Sequence, residues 1–191
     1  MHQVKQNVIM CSCSPTFYVK RKYCIYEKMA AVADDFWKIY TKEWREARQS
    51  LRSEKHDEEI IYLLMQIVRG VYDFCLDETK DSRHKKNKEE KATEELTETY
   101  LHHKLPPSFH RAHVTNQVRS FVHRCVGCLH QMCLLKHSPL YIYWIPKGEV
   151  IDKHKFDIKG DKDEHVCDWT VWPAVMHTDG TVLKKGVVIP V

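Results

Sequence analysis

The sequence predicts a mainly α-helical fold: a helical bundle around one central helix, with a small C-terminal β-hairpin (α+β). Apolar residues recur every three or four positions in three stretches between residues 30 and 136, which is typical of helices buried on one side. Beyond residue 138 the pattern changes to runs of β-branched and aromatic residues. The pair Asp179-Gly180 separates two of those runs and indicates a tight hairpin turn, because such turns require positive φ.

The central helix is predicted from residues 111–136. Its apolar side chains form a stripe that is too wide to face water, so other segments have to cover it. We expect Ser108 to cap the helix, because a hydroxyl can accept a hydrogen bond from a free backbone N–H. The stripe consists of Val114, Val118, Phe121, Val122, Cys125, Cys128, Leu129, Met132 and Cys133.

Two N-terminal helices are expected to pack on the central one. The first is predicted over about residues 30–51, where an aromatic row including Phe36, Tyr40 and Trp44 is typical of a core face. The second is predicted over residues 57–76 and is apolar enough to be the most buried. Gly70 within it indicates a close helix crossing. A further short helix is predicted over residues 96–105.

Two segments show no apolar period. Residues 1–28 are predicted to be a poorly specified N-terminal arm. Residues 77–95 contain no large apolar side chain, so they form either a mobile linker or a solvated helix held by charge pairs, and we favour the mobile linker. In the C-terminal part we expect Trp172 to be buried and Pro173 to lie at a strand edge or bulge, because proline cannot donate to a β-ladder.

Composition and motifs exclude several classes of function. The 191 residues carry a net charge of +4, which is too mild to indicate a nucleic-acid binder. Val8-Ile9-Met10 is too short for a secretory signal, and no apolar run approaches the ~20 residues of a transmembrane helix, so we expect an intracellular protein with reduced cysteines. The sequence contains no P-loop, dinucleotide fingerprint or nucleophile elbow. We therefore expect no enzymatic activity and no cofactor.

A group of histidines and cysteines lies at the end of the central helix. Cys125-x-x-Cys128 by itself is a weak zinc signal, since structural sites usually have a second pair at a set distance. One helix cannot easily supply four tetrahedral ligands. A zinc-stabilised adaptor that uses Cys125, Cys128, Cys133 and His137 stays open as the alternative function.

Lysines are frequent in the C-terminal third, close in sequence to Trp144. This combination is typical of surfaces that bind anionic lipid headgroups, where each basic residue contributes about 1 kcal/mol. A solvated lysine surface over a packed tryptophan is the other reading. The lysines are Lys147, Lys153, Lys155, Lys159, Lys184 and Lys185, and the predicted lipid- or partner-binding residues are Lys147, Lys153, Lys155, Lys184, Lys185 and Trp144.

The order of motifs in this third resembles the C-terminal domain of the mitochondria-eating protein family. The block from Trp172-Pro173-Ala174 to Lys185-Gly186-Val187 is the specific part of the resemblance. The long coiled coil of that family has no counterpart in residues 1–28, which show no heptads. The remaining motifs are Phe121, Cys125, Cys128 and Met132, then Ser138-Pro139-Leu140, Gly148, Phe156-Asp157 and Gly160.

The resemblance implies that residues 29–191 form a single domain of this family. It also implies a non-enzymatic interaction module of mitochondrial quality control. Members of the family act at mitochondria, associate with cardiolipin and assemble around damaged mitochondria. We therefore expect a cytoplasmic protein that associates with the mitochondrial outer membrane and binds anionic lipid, a protein partner or a second copy of itself.

Overall fold

The computed structural model describes residues 15–84, 92–135, 140–160 and 165–191. Five helices come first: α1 Pro15–Thr41, α2 Glu43–Leu51, α3 Asp57–His84, α4 Thr93–His103 and α5 Asn116–Leu134. Six strands follow: β1 Leu140–Tyr143, β2 Phe156–Ile158, β3 Cys167–Trp172, β4 Ala174–His177, β5 Val182–Lys184 and β6 Gly186–Pro190. The predicted fold class is confirmed, and its β part is larger than a single hairpin.

The central position of α5 is confirmed, since α1, α2, α3 and α4 all pack against it. Its apolar stripe is buried from Val118 to Met132. The predicted cap at Ser108 is wrong. The chain first buries Phe109 and makes a 3-10 turn, and the Thr115 hydroxyl then accepts a hydrogen bond from the backbone N–H of Val118 at 3.2 Å.

The first predicted helix is divided in two. Lys42 has non-helical dihedral angles (φ −124°, ψ −82°) and separates α1 from α2. The aromatic row nevertheless continues across the break, with Phe36, Tyr40 and Trp44 all buried. The break allows α2 to lie on α5 with its arginines on the outer side. The prediction that these aromatics belong to the core is confirmed.

Gly70 of α3 leaves room for a side chain of α4. A Cβ atom on Gly70 would lie 2.7 Å from the hydroxyl of Tyr100, which is buried and donates a hydrogen bond to the carbonyl of Ile67 at 3.2 Å. The predicted linker at 77–95 is helical at both ends, because α3 continues to His84 and α4 begins at Thr93. Residues 85–91 lie outside the described residues, as do residues 1–14 of the predicted arm.

The β part is built on one long hairpin that bends in the middle. Strands β4 and β5 form its tip around the predicted Asp179-Gly180 turn, and β3 pairs with β6 at its base. Pro173 lies at the bend between β3 and β4, as expected for a residue without an N–H. Strand β1 extends the tip antiparallel to β4, and β2 extends the base parallel to β6, which gives two three-stranded sheets.

Trp172 joins the sheets to the helices. Its side chain is 1 % exposed, and its ring centroid lies 4.5 Å from that of Phe36, 5.4 Å from Tyr40 and 6.5 Å from Phe121. These three rings belong to α1 and α5, so one side chain of β3 contacts both helices. The predicted burial of Trp172 is confirmed, and it fixes where the hairpin lies on the bundle.

Candidate functional site

The predicted lysines are spread over the sheets, and most of them form ion pairs within the protein. Lys147 pairs with Asp168 (2.5 Å) and Lys155 with Asp152 (3.1 Å). The ammonium group of Lys147 also lies 5.2 Å from the ring centroid of Trp169, and that of Lys155 lies 5.7 Å from Tyr143. Lys153 is exposed and has no ion pair in the described part of the chain.

Two further lysines connect parts of the fold. Lys184 of β5 pairs with Asp34 of α1 at 2.7 Å and lies 5.8 Å from the ring centroid of Trp37, so it ties the hairpin to the bundle. Lys185 pairs with Asp157 of β2 at 3.2 Å. Because these lysines already face carboxylates, they present less net positive charge than their number suggests.

Trp144 lies apart from Lys153, Lys155, Lys184 and Lys185 and is half-buried. With Trp169, Lys147 and Arg69 it lines a cleft of about 320 Å³ between α3 and the end of β1, which we call the Trp144 cleft. The structure therefore brings together two of the six predicted residues, Trp144 and Lys147. The other four do not join them.

A larger cleft of about 520 Å³ lies between α2 and the end of β2, and it is basic. We call it the basic cleft. Four cationic side chains line it: two arginines of α2, the arginine that directly follows α2, and one lysine that follows β2. The full lining is Tyr40, Trp44, Arg45, Arg48, Gln49, Arg52, Ile158, Lys159 and Val187.

One carboxylate organises two of these arginines. Asp57 accepts hydrogen bonds from Arg48 at 2.8 and 3.2 Å and from Arg52 at 3.3 Å. The hydrogen bond from Arg48 lowers the pKa of Asp57 below its usual value, so the carboxylate stays ionised. Arg45 and Lys159 pair with no carboxylate among the described residues. Counting the described residues alone, four cations face one carboxylate, which leaves an excess of three positive charges.

The inner wall of the basic cleft is rigid. Trp44 is 1 % exposed, and the guanidinium carbon of Arg48 lies 5.5 Å from its ring centroid, a cation–π contact that helps to fix the arginine. On the opposite wall, desolvation and the nearby charges of Arg48 and Arg45 lower the pKa of Lys159. The cleft thus holds positive charge at some electrostatic cost, which a bound anion would relieve.

The sequence prediction missed the three arginines of this cleft. Their signal was present, because Arg45, Arg48 and Arg52 are spaced three and four residues apart and must share one face of a helix. Lys159 was counted among the C-terminal lysines but not among the predicted binding residues. No sequence pattern places it opposite α2, since that position depends on how the hairpin packs on the bundle.

The cysteines of α5 face the interior. Cys125 is fully buried, and burial raises its thiol pKa well above the usual value. Burial likewise raises the pKa of Cys128 to about 12, and its thiol lies 3.5 Å from the carbonyl of Val32. Such thiols behave as small apolar groups and are poor nucleophiles.

The alternative zinc set is not assembled. Among the described residues no three of the His, Cys, Asp and Glu side chains come together as metal ligands. At about 100° per residue, Cys128 and Cys133 point roughly 140° apart around α5, so they cannot face one ion. His137 lies outside the described residues.

Within the described ranges, none of the helices combines the length and apolarity that a bilayer crossing requires. The apolar faces of α1, α3 and α5 are instead directed at one another.

Comparison with known proteins gives one result. Residues 90–190 match the family described as mitochondria-eating protein. No curated protein and no solved structure matches the chain. The matched segment is just over half of the chain and contains α4, α5 and all six strands, including the Trp172-Pro173-Ala174 and Lys185-Gly186-Val187 motifs. The chain therefore belongs to the mitochondria-eating protein family.

Proposed function

We propose that the chain is a non-enzymatic interaction module of mitochondrial quality control. In this proposal it is cytoplasmic and associates with the outer membrane of mitochondria from outside by binding an anionic lipid such as cardiolipin. Membership of the mitochondria-eating protein family is the observation that carries the proposal, since the family is named for an action on mitochondria.

Two features of the structure support this function. The described surface carries a concentration of positive charge in the basic cleft, which is the kind of group that attracts phosphate headgroups. The thiols of Cys125 and Cys128 are buried with raised pKa values, and this supports the reading that they are structural and not catalytic.

Liposome flotation tests the lipid part of the proposal. The full chain is mixed with vesicles of phosphatidylcholine alone, of phosphatidylcholine with cardiolipin, and of phosphatidylcholine with phosphatidylglycerol at the same charge. We expect flotation with both anionic vesicles, and less of it at high salt, because screening weakens contacts with exposed cations. Equal flotation with neutral vesicles, or no flotation, would reject lipid binding.

Self-association is the second candidate, and the Trp144 cleft favours it. Tryptophan and arginine are enriched at protein interfaces, and this cleft combines Trp144 and Trp169 with Arg69. Sedimentation equilibrium of the full chain and of Trp144→Ala would test it. A dimer that weakens in the variant supports this candidate, and a monomer at all concentrations rejects it.

A further inference from the structure

The basic cleft has the chemistry of a phosphate site. Planar guanidinium groups match phosphate oxygens with two parallel N–H donors, which a lysine cannot do. Three of the four cations are arginines; two lie on one face of α2, and the third is the residue that caps the C-terminal end of that helix. The volume of about 520 Å³ falls within the range of sites that hold small ligands.

The cations of the cleft are partly preorganised. Asp57 accepts hydrogen bonds from Arg48 and Arg52, and the ring of Trp44 makes a cation–π contact with Arg48. Preorganised donors lose less conformational entropy on binding than free side chains do. Arg45 and Lys159 pair with no carboxylate in the described part of the chain, so within that part no ion pair has to be broken before a ligand binds them.

The predicted lysines differ from the cleft in this respect. Lys147, Lys155, Lys184 and Lys185 each face a carboxylate of their own within 3.2 Å. A ligand that bound there would have to compete with those carboxylates. In the basic cleft one carboxylate, Asp57, pairs with two of the four cations, and the remaining charge lies on two facing walls.

We propose that the basic cleft binds a phosphate group of a ligand carrying two or more negative charges, with Arg45 and Lys159 as the contacts from its two walls. The inference rests on the proposed function, because it names the site through which an anionic headgroup would be held. A phosphorylated lipid headgroup and a soluble phosphate ester share this chemistry.

Calorimetric titration of the full chain with inorganic pyrophosphate tests the site directly. The test variant is Arg45→Ala/Lys159→Ala, which removes the two cations that form no ion pair and leaves the contacts of Asp57 intact. The control is Lys28→Ala/Lys104→Ala, which removes the same charge from two exposed positions elsewhere. Far-ultraviolet circular dichroism and thermal midpoints establish that both variants fold.

We expect one pyrophosphate per chain and a loss of affinity of about 30-fold in the test variant, from about 1 kcal/mol per cation and 1.4 kcal/mol per factor of ten. The control should stay within about threefold of the unmodified chain. Absence of pyrophosphate binding by the unmodified chain, or equal losses in the two variants, would overturn the proposal.

Flotation of the same proteins separates this inference from the proposed function. If the test variant loses both pyrophosphate and anionic vesicles, the cleft is the lipid site. If it loses pyrophosphate and no form of the chain floats, the cleft is a site for a soluble phosphate and the lipid function fails. If the test variant still floats and binds pyrophosphate like the control, the cleft proposal fails and the lipid function stands.

Discussion

Replacing Trp172 by alanine should be among the most destabilising single substitutions in this chain. The ring is the contact through which β3 meets α1 and α5, and it is 1 % exposed with three aromatic rings within 6.5 Å. Removal leaves a cavity in the layer between sheet and helices. Deletions of this size cost about 3–5 kcal/mol in the free energy of unfolding.

The contacts of Trp172 place the cost within that range. Each aromatic pair adds about 0.5–1.5 kcal/mol beyond area burial, and the closest pair, with Phe36 at 4.5 Å, is lost completely. We therefore expect about 4 kcal/mol for Trp172→Ala. Trp172→Phe keeps an aromatic ring in place and should cost about half as much.

Urea denaturation followed by circular dichroism measures this effect. With an m value of about 2–3 kcal/mol per molar, Trp172→Ala should lower the unfolding midpoint by about 1.3–2 M. Trp169→Ala is the matched control, since Trp169 is half-buried and should cost about 1–2 kcal/mol. A loss below about 1 kcal/mol in Trp172→Ala would refute the reasoning that this side chain holds the hairpin on the bundle.

Three further predictions follow from single contacts. In Gly186→Ala the new Cβ would lie 2.5 Å from the backbone oxygen of Trp172, so urea denaturation should show a loss of about 2–3 kcal/mol in the free energy of unfolding. In the control Gly127→Ala the nearest neighbour of the new Cβ is a side chain at 3.3 Å, so this variant should be as stable as the unmodified chain or more stable. Equal effects of the two substitutions would contradict the geometry. Hydrogen bonds from the backbone N–H and the side chain of Thr181 lower the pKa of Asp179 from 3.8 to about 2. The stabilising effect of this carboxylate is therefore complete above pH 4 and is lost as the pH falls toward 2. The thermal midpoints of the unmodified chain and of Asp179→Ala should converge over that interval, and a constant difference between them would refute the prediction. The buried thiol of Cys125 should react with iodoacetamide at least about a hundredfold more slowly in the folded chain than in urea, as followed by mass spectrometry, and rapid labelling of the folded protein would contradict its burial.

The helical part of the fold could be predicted from local patterns. The apolar stripe of α5 and the aromatic row of Phe36, Tyr40 and Trp44 follow from side-chain spacing, and the structure confirms them. Their boundaries were less predictable. The break at Lys42 leaves the apolar period unchanged, so nothing in the period marks it.

In the β part, local sequence patterns predicted the turn but not all of the strand pairing. Asp179-Gly180 correctly indicated the hairpin, because turn chemistry is local. The addition of β2 parallel to β6 pairs residues about 30 positions apart, and no local signal specifies it. The two runs beside the Asp179-Gly180 turn were expected to form one small hairpin, whereas breaks at Pro173 and Lys185 place the halves of each run in two different sheets.

The candidate site was predictable only in part. Lysine-rich composition drew attention to the C-terminal third, yet three of those lysines pair with carboxylates that lie far away in sequence, such as Asp34 beside Lys184. The arginines of α2 share a face that sequence spacing reveals. Their combination with Lys159 depends on the packing of the sheets on α2, which only the tertiary structure provides.

Hydrogen–deuterium exchange of the full chain, with and without cardiolipin-containing vesicles, tests the central claim most directly. If the basic cleft holds the anionic headgroup, added vesicles should slow exchange in peptides that cover residues 43–52 and 156–160, and neutral vesicles should leave them unchanged. Slower exchange around Trp144 and Lys147 with no change in α2, or no change anywhere, would contradict the account.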